Sequence, residues 1–161
     1  MQIRDEQPRD HAAIAELVER AFGQPVEARL VEKLRDDGDA AISLVAEEGD
    51  AIVGHILLSP MAAPFPALGL APLAVLPGHE RKGIGSALVK AAIARAGERN
   101  YGAVFVLGDP GYYERFGFRA ALAADFSSPY AGPYFMVMPL RESLPATTGR
   151  VDYARAFDGL A

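Results

Sequence analysis

From Gly69 to Leu107 the chain reads as strand, glycine-broken turn, helix and strand. Apolar residues fill Gly69 to Leu76, the stretch Pro77-Gly-His-Glu-Arg-Lys-Gly-Ile-Gly85 interrupts them, a helical pattern runs from about Ile84 to Arg99, and Ala103 to Leu107 is a short unbroken apolar run. Two strands joined through a helix lie parallel, and an uninterrupted apolar strand is of the kind buried on both faces. The unit therefore predicts a mixed α and β protein with a β-α-β crossover at its centre. Pro72 falls inside the first of these strands. Lacking an N–H to donate, it belongs at an edge or a bulge, so a break in the sheet is predicted near it.

The elements before the crossover follow from periodicity and turn chemistry. After a short strand at Gln2 to Arg4, Asp10 is placed to cap a helix whose residues Ile14, Leu17, Val18, Ala21 and Phe22 share one face. A second helical pattern turns Leu30, Val31 and Leu34 inward and Glu27, Glu32 and Lys33 outward. The period then shortens: Ser43 to Glu48 and Ala51 to Ser59 are strand-like around Gly49-Asp50, a hairpin signal. The proline-rich stretch from Pro60 to Leu68 reads as a loop. After the crossover, Asp109-Pro-Gly starts a short helix through Phe116, and Phe118 to Ala120 and Tyr134 to Leu140 read as closing strands.

The chain has 161 residues, half of them apolar, which suits one domain with a single core. Residues 1–140 carry every strong signal; 141–161, with a weakly amphipathic Val151 to Phe157, form a C-terminal extension expected to dock on the same domain. A net charge of -5 leaves no general basic surface and argues against a nucleic-acid partner. No apolar run reaches the length of a membrane span and Met1-Gln-Ile-Arg-Asp-Glu lacks the order of a signal peptide, so a cytoplasmic location is expected. The chain contains no cysteine, which removes disulfides, thiolate metal sites and a cysteine nucleophile together. No His-x-x-x-His spacing occurs, so no metal site is expected.

The turn before the central helix has a chemistry of its own. A helix N-terminus presents unsatisfied N–H groups and partial positive charge, and a glycine-rich entry lets an anion approach them. Gly83 and Gly85 remove β-carbons there, while Arg81 and Lys82 add positive charge. Leu88 stands where the dinucleotide fingerprint needs a third glycine, and Ile84 and Gly85 stand where a nucleotide P-loop needs lysine and then serine or threonine. A phosphate-bearing ligand of another kind remains, beside the plainer alternative of a tight turn with close helix packing.

Three stretches resolve that choice by resemblance. Leu73-Ala-Val-Leu-Pro, Glu80-Arg-Lys-Gly-Ile-Gly-Ser-Ala-Leu and Tyr112-Tyr-Glu-Arg-Phe-Gly-Phe118 resemble, in order and spacing, the GNAT superfamily of acetyl-CoA-dependent N-acetyltransferases, over about Gln2 to Leu140. The Gly108-to-Tyr113 stretch is similar to one common in a bacterial branch of predicted N-acetyltransferases. The resemblance implies a mixed α/β fold: a central, mostly antiparallel twisted sheet with splayed parallel central strands and helices on both faces. It implies acetyl-CoA as cosubstrate, its pantetheine arm bonded to backbone at Leu73, Ala74 and Val75, and its pyrophosphate on the N–H groups of Arg81, Lys82, Gly83, Ile84, Gly85 and Ser86. Glu80 departs from the family pattern, which usually carries Gln or Arg there. A carboxylate facing a pyrophosphate would repel it, so Glu80 is expected to point away.

The implied reaction is transfer of acetyl to an amine by direct attack in a ternary complex. Tyr113 matches the tyrosine that many family members use to protonate the leaving thiolate. A backbone N–H near Ala74 or Val75 is the family-like oxyanion donor. Tyr112 reads as a packing aromatic, and Phe116 and Phe118 as core. The base is open among His55, expected on the strand facing the cleft, Asp109, Glu27 and a water chain. A non-catalytic acyl-CoA-binding sensor shares every phosphate-site residue and is the alternative. The acceptor is a small-molecule or peptide amine, and a homodimer through the closing strands is compatible with the pattern.

Overall fold

A computed structural model describes residues 1–160. Strands are β1 (Gln2–Asp5), β2 (Ile42–Glu48), β3 (Ala51–Pro60), β4 (Ala67–Val75), β5 (Ala103–Leu107), β6 (Phe126–Ser127), β7 (Phe135–Pro139) and β8 (Gly149–Arg150). Helices are α1 (His11–Phe22), α2 (Val26–Asp36), α3 (Ile84–Glu98), α4 (Pro110–Tyr113) and α5 (Ala120–Ala123). Six strands pair in the order β1-β2-β3-β4-β5-β7, and β6 pairs with β8 separately. Within the large sheet β4 and β5 run parallel, and β1-β2, β2-β3 and β5-β7 are antiparallel. The parallel register runs from Ala67↔Ala103 to Leu70↔Val106 and ends one residue before the Ala71-Pro72 bond, which is cis. The break predicted around Pro72 is thus a central strand that leaves its neighbour, without the edge position that a strand proline more often takes.

The chain divides into two compact units, one of Met1–Leu58 with Ala71–Ala92 and one of Ser59–Leu70 with Ile93–Ala161. In the first, the hairpin turns at Gly49-Asp50 as its residues require, with Gly49 at φ +60°. Neighbouring residues of β3 serve opposite faces. Gly54 lies beneath α3: a β-carbon there would stand 2.8 Å from both Ile84 Cγ2 and Leu88 Cδ1. His55, on the other face, bonds Ser43 and through it reaches Glu6 and Arg35 of α2. Gly54→Ala is expected to push α3 off the sheet and to cost about 1–3 kcal/mol, the usual range for overpacking a filled core. Chemical denaturation checks it, and an unchanged midpoint would show that α3 does not seat on this glycine.

Some elements differ from the sequence expectations. Asp10 precedes α1 but its side chain makes no cap bond to that helix. It turns back instead, accepting from the Gln7 N–H at 2.7 Å and pairing with Arg4 Nη1 at 2.7 Å, because a guanidinium outbids a backbone N–H for a nearly buried carboxylate. Phe22, placed on the core face by periodicity, is exposed because α1 ends there at the left-handed Gly23. β4 begins two residues before Gly69, at Ala67.

In the second unit Phe105 stacks on Phe135 at 5.5 Å and meets the edge of Phe126 at 5.4 Å, forming the core around β5 and β7. Phe118 to Ala120 is not a closing strand. Only Arg119 bridges to Val137, and Ala120 already starts α5. Phe118 is fully buried, as expected of a core residue, whereas Phe116 is only half-buried, with the Arg115 guanidinium 5.1 Å from its ring centre. The C-terminal segment forms no amphipathic helix. Gly149–Arg150 pairs with β6, Ala62 and Asp152 exchange backbone hydrogen bonds, and Val151 is buried.

Candidate active site

The turn between β4 and α3 is built by three left-handed residues, Gly78 at φ +92°, Arg81 at +65° and Gly83 at +81°. Arg81 in that region is strained for a residue with a β-carbon, a condition that persists where the surroundings impose it and that clusters at ligand sites. The Gly83 carbonyl accepts from the Ala87 N–H at 3.0 Å, the first bond of α3. The N–H groups of Gly83, Ile84, Gly85 and Ser86 therefore have no intrahelical acceptor. Arg81 and Lys82 are exposed beside them. The Glu80 carboxylate is engaged within the loop, accepting from the Gly78 N–H at 2.8 Å. Its own N–H and that of Gly78 hold it below the usual carboxylate range. In sum, the loop presents an anion cradle with two cations, and its one carboxylate is committed to shaping the turn.

Tyr113 closes α4, which starts at Pro110 with Asp109 as its cap: Asp109 Oδ1 accepts from the Gly111 N–H at 3.1 Å. Its ring packs edge-on against Tyr112 at 5.0 Å and Phe118 at 5.7 Å. The bare backbone of Gly108 admits that ring, since a β-carbon there would lie 2.6 Å from Tyr113 Cε2. Burial, and then the neighbouring Tyr112, push the Tyr113 phenol up to about 12. It is thus a protonated donor throughout the physiological range. Tyr112 is a packing aromatic, with the Arg115 guanidinium 4.1 Å from its ring centre.

The other candidates fare unequally. His55 is fully buried, with Nε2 2.8 Å from Ser43 Oγ, which donates in turn to Glu6 Oε1 at 2.6 Å. It does not line an open cleft, because its side chain is spent inside the β2-β3 layer. Burial lowers its pKa, against which Glu6 pulls upward. Burial likewise opposes ionisation of Glu6, but contacts with His55, Arg35 and Ser43 outweigh it and hold the carboxyl well below its usual range. Glu27 is half-buried and accepts from Gln24 Nε2. Asp109 is exposed and capping. A depressed histidine takes up its proton first in the unfolded chain, so its contribution to stability is lost as pH falls below about 6.5. The melting temperature is expected to fall between pH 7 and pH 5, with a flatter profile in His55→Gln; a rise over that interval in the wild type would contradict the buried neutral histidine.

Sequence reasoning missed three features: the Glu6–Arg35–Ser43–His55 cluster, the seating of Tyr113 on Gly108, and Tyr153, whose ring lies against Gly69. A β-carbon on Gly69 would stand 2.5 Å from Tyr153 Cε1. For Tyr153 the available signal was Gly69, a strand glycine flanked by apolar residues, because such glycines mark close approaches.

A parallel pair that parts after a few residues, followed by a glycine-rich entry into the crossover helix, is the arrangement that the resemblance to acyl-CoA transferases implied. The profile of the Acetyltransferase (GNAT) family matches residues 11–118. Over 165 residues, 98% of this chain and 99% of the relative, the sequence is 36% identical to an uncharacterized N-acetyltransferase, YhbS of Escherichia coli K12. The crystal structure of Escherichia coli YhbS in complex with CoA superposes with a TM-score of 0.93 at 34% identity, covering 99% of this chain and 93% of that one. A GNAT family acetyltransferase of Brucella melitensis, in complex with acetyl-CoA, gives 0.83 at 34% identity, covering 98% and 97%. The chain belongs to the GNAT family and is an N-acetyltransferase.

Proposed function

We propose that the protein transfers acetyl from acetyl-CoA to a primary amine by direct attack in a ternary complex. The turn into α3 carries the reading: its unpaired helix-start N–H groups and the exposed Arg81 and Lys82 suit a pyrophosphate. The crystallisation of YhbS with CoA and of the Brucella protein with acetyl-CoA supports the same ligand here. Backbone at Leu73, Ala74 and Val75, past the end of the parallel register, is assigned to the pantetheine arm, and the N–H groups of Arg81, Lys82, Gly83, Ile84, Gly85 and Ser86 to the pyrophosphate. Residues 1–140 form the transferase domain in this reading and residues 141–161 an extension docked on it.

In the reaction the amine nitrogen forms a bond to the thioester carbonyl carbon, the carbon–sulfur bond breaks, and the electron pair of that bond leaves on sulfur. A backbone N–H at Ala74 or Val75 faces the developing oxyanion. The Tyr113 phenol gives its proton to the departing thiolate, and the proton lost by the attacking nitrogen passes through water to the resulting phenolate, so that the N-substituted acetamide and free CoA thiol are the neutral products and Tyr113 is restored. The burial of His55 and the capping bond of Asp109 support the water route for that proton. Thiol release from acetyl-CoA with pooled polyamines, amino acids, aminoglycosides and short peptides tests the reading. Release that depends on an amine is expected. Acetyl-CoA binding in a thermal shift with release from no pool would contradict a small amine acceptor, and absence of binding would overturn the phosphate assignment.

A further inference from the structure

The bend that leads into α3 is anchored by backbone at both ends. Leu76 is held to β3 by its N–H on the Val53 carbonyl at 2.9 Å, and the His79 N–H returns to the Leu76 carbonyl at 2.9 Å. That second bond closes a four-residue turn whose central pair, Pro77 and the left-handed Gly78, has the sequence of a type II turn. At the far end the Ala87 N–H bonds the Gly83 carbonyl. A turn of this kind makes its bond from the fourth residue to the first and leaves the N–H of the third, here Gly78, to find an acceptor elsewhere. The exposed Glu80 carboxylate supplies that acceptor at 2.8 Å, and the N–H of Glu80 itself faces the same group. Glu80 is therefore pinned to the turn before it. The next residue, Arg81, takes φ +65°, a region that a side chain with a β-carbon occupies where its surroundings impose it.

Charge alone counts against a glutamate in this bend, since a carboxylate repels a pyrophosphate and offsets one of the two cations beside it. Its bonds to backbone supply the compensating gain. The N–H groups assigned to the pyrophosphate begin at Arg81, so their direction depends on the shape that Glu80 imposes. We propose that Glu80 is a positioning residue for acetyl-CoA: its carboxylate staples the bend in the free protein, so that the N–H groups of Arg81 to Ser86 are set before the ligand arrives. A ligand that meets a preformed cradle spends none of its binding energy on ordering the loop. This rests on the acetyl-transfer reading and deepens it at the same site.

The test compares wild type, Glu80→Gln and Glu80→Ala by acetyl-CoA titration calorimetry, by KM and kcat for acetyl-CoA, and by amide hydrogen exchange of the loop in the free protein. Glutamine keeps an oxygen that accepts from the Gly78 N–H and drops the charge, whereas alanine drops both. Glu80→Ala is expected to bind acetyl-CoA roughly fivefold more weakly, within the scale of one hydrogen bond. The loss should fall on KM rather than kcat, and the amides from Gly78 to Gly83 should exchange faster. Glu80→Gln is expected to bind at least as tightly as the wild type, because the acceptor remains and the repulsion is gone. Tighter binding by Glu80→Ala would mean that the carboxylate only repels the ligand and would overturn the inference. Equal binding by all three, a glutamine variant that falls with alanine, or unchanged exchange in Glu80→Ala would overturn it too. In each of those outcomes the wild type still binds acetyl-CoA; the acetyl-transfer reading fails instead if it does not, or if no amine of any class is acetylated.

Discussion

Tyr113→Phe lowers kcat by about a hundredfold, the low end of what a general acid contributes, while the dissociation constant for acetyl-CoA stays within about twofold. The substitution removes one oxygen and keeps the ring that packs against Tyr112 and Phe118, so folding is little affected. What it removes is the only proton that the residue can give to the thiolate. With the phenol pushed up to about 12 by burial and Tyr112, the donor stays protonated well beyond neutrality. The acid side of the pH profile is then set by the acceptor, since an alkyl ammonium with a pKa near that of lysine, about 10.4, must first become the free amine. Wild-type kcat/KM is expected to climb about tenfold per pH unit through the neutral range, with no descending limb from Tyr113 below about pH 11. Stopped-time thiol assays across pH check both points. A variant that retained full kcat would remove Tyr113 from the chemistry.

Gly108→Ala is expected to lower kcat by about tenfold or more without removing any reacting group. Its β-carbon would stand 2.6 Å from Tyr113 Cε2, closer than real contacts allow, and 3.0 Å from Cδ2. Tyr113 is held on its other sides by Tyr112 and Phe118, so it yields by shifting its hydroxyl, and a displacement on the order of 1 Å at a reacting group costs rate steeply. Folding is weakened too, by about 1–3 kcal/mol. The two substitutions should not add. In a Tyr113→Phe background, Gly108→Ala is expected to cost little further kcat, because the oxygen it would displace is already gone. Full additivity in that double-mutant cycle would mean that Gly108 acts on something other than the tyrosine.

The sequence made the central crossover legible because three independent signals coincide there: Pro72, the glycine-rich turn and the unbroken run Ala103 to Leu107. The hairpin at Gly49-Asp50 and the helix start at Asp109-Pro-Gly were equally plain, since turn chemistry is local and acts within a few positions. What escaped was decided at long range. Asp10 had the right residue type and position for a cap, and only the fold holds Arg4, itself bonded to Glu47, where it draws Asp10 away. His55 had a strand context open to two readings, and Ser43, twelve positions earlier, settled it. Tyr153 sits in a segment of only weakly amphipathic pattern, and its placement comes from contact with Gly69, Tyr130 and Phe157.

The mechanism stands or falls on attack by the amine within a complex that holds both substrates. With no cysteine in the chain to carry the acetyl group, initial rates measured over a grid of acetyl-CoA and acceptor concentrations should give intersecting lines in double-reciprocal form. The acceptor should gain one acetyl group, seen by mass spectrometry, for each CoA thiol released. Parallel lines, with acetylated protein isolated in the absence of acceptor, would contradict direct transfer and require a covalent acetyl-enzyme.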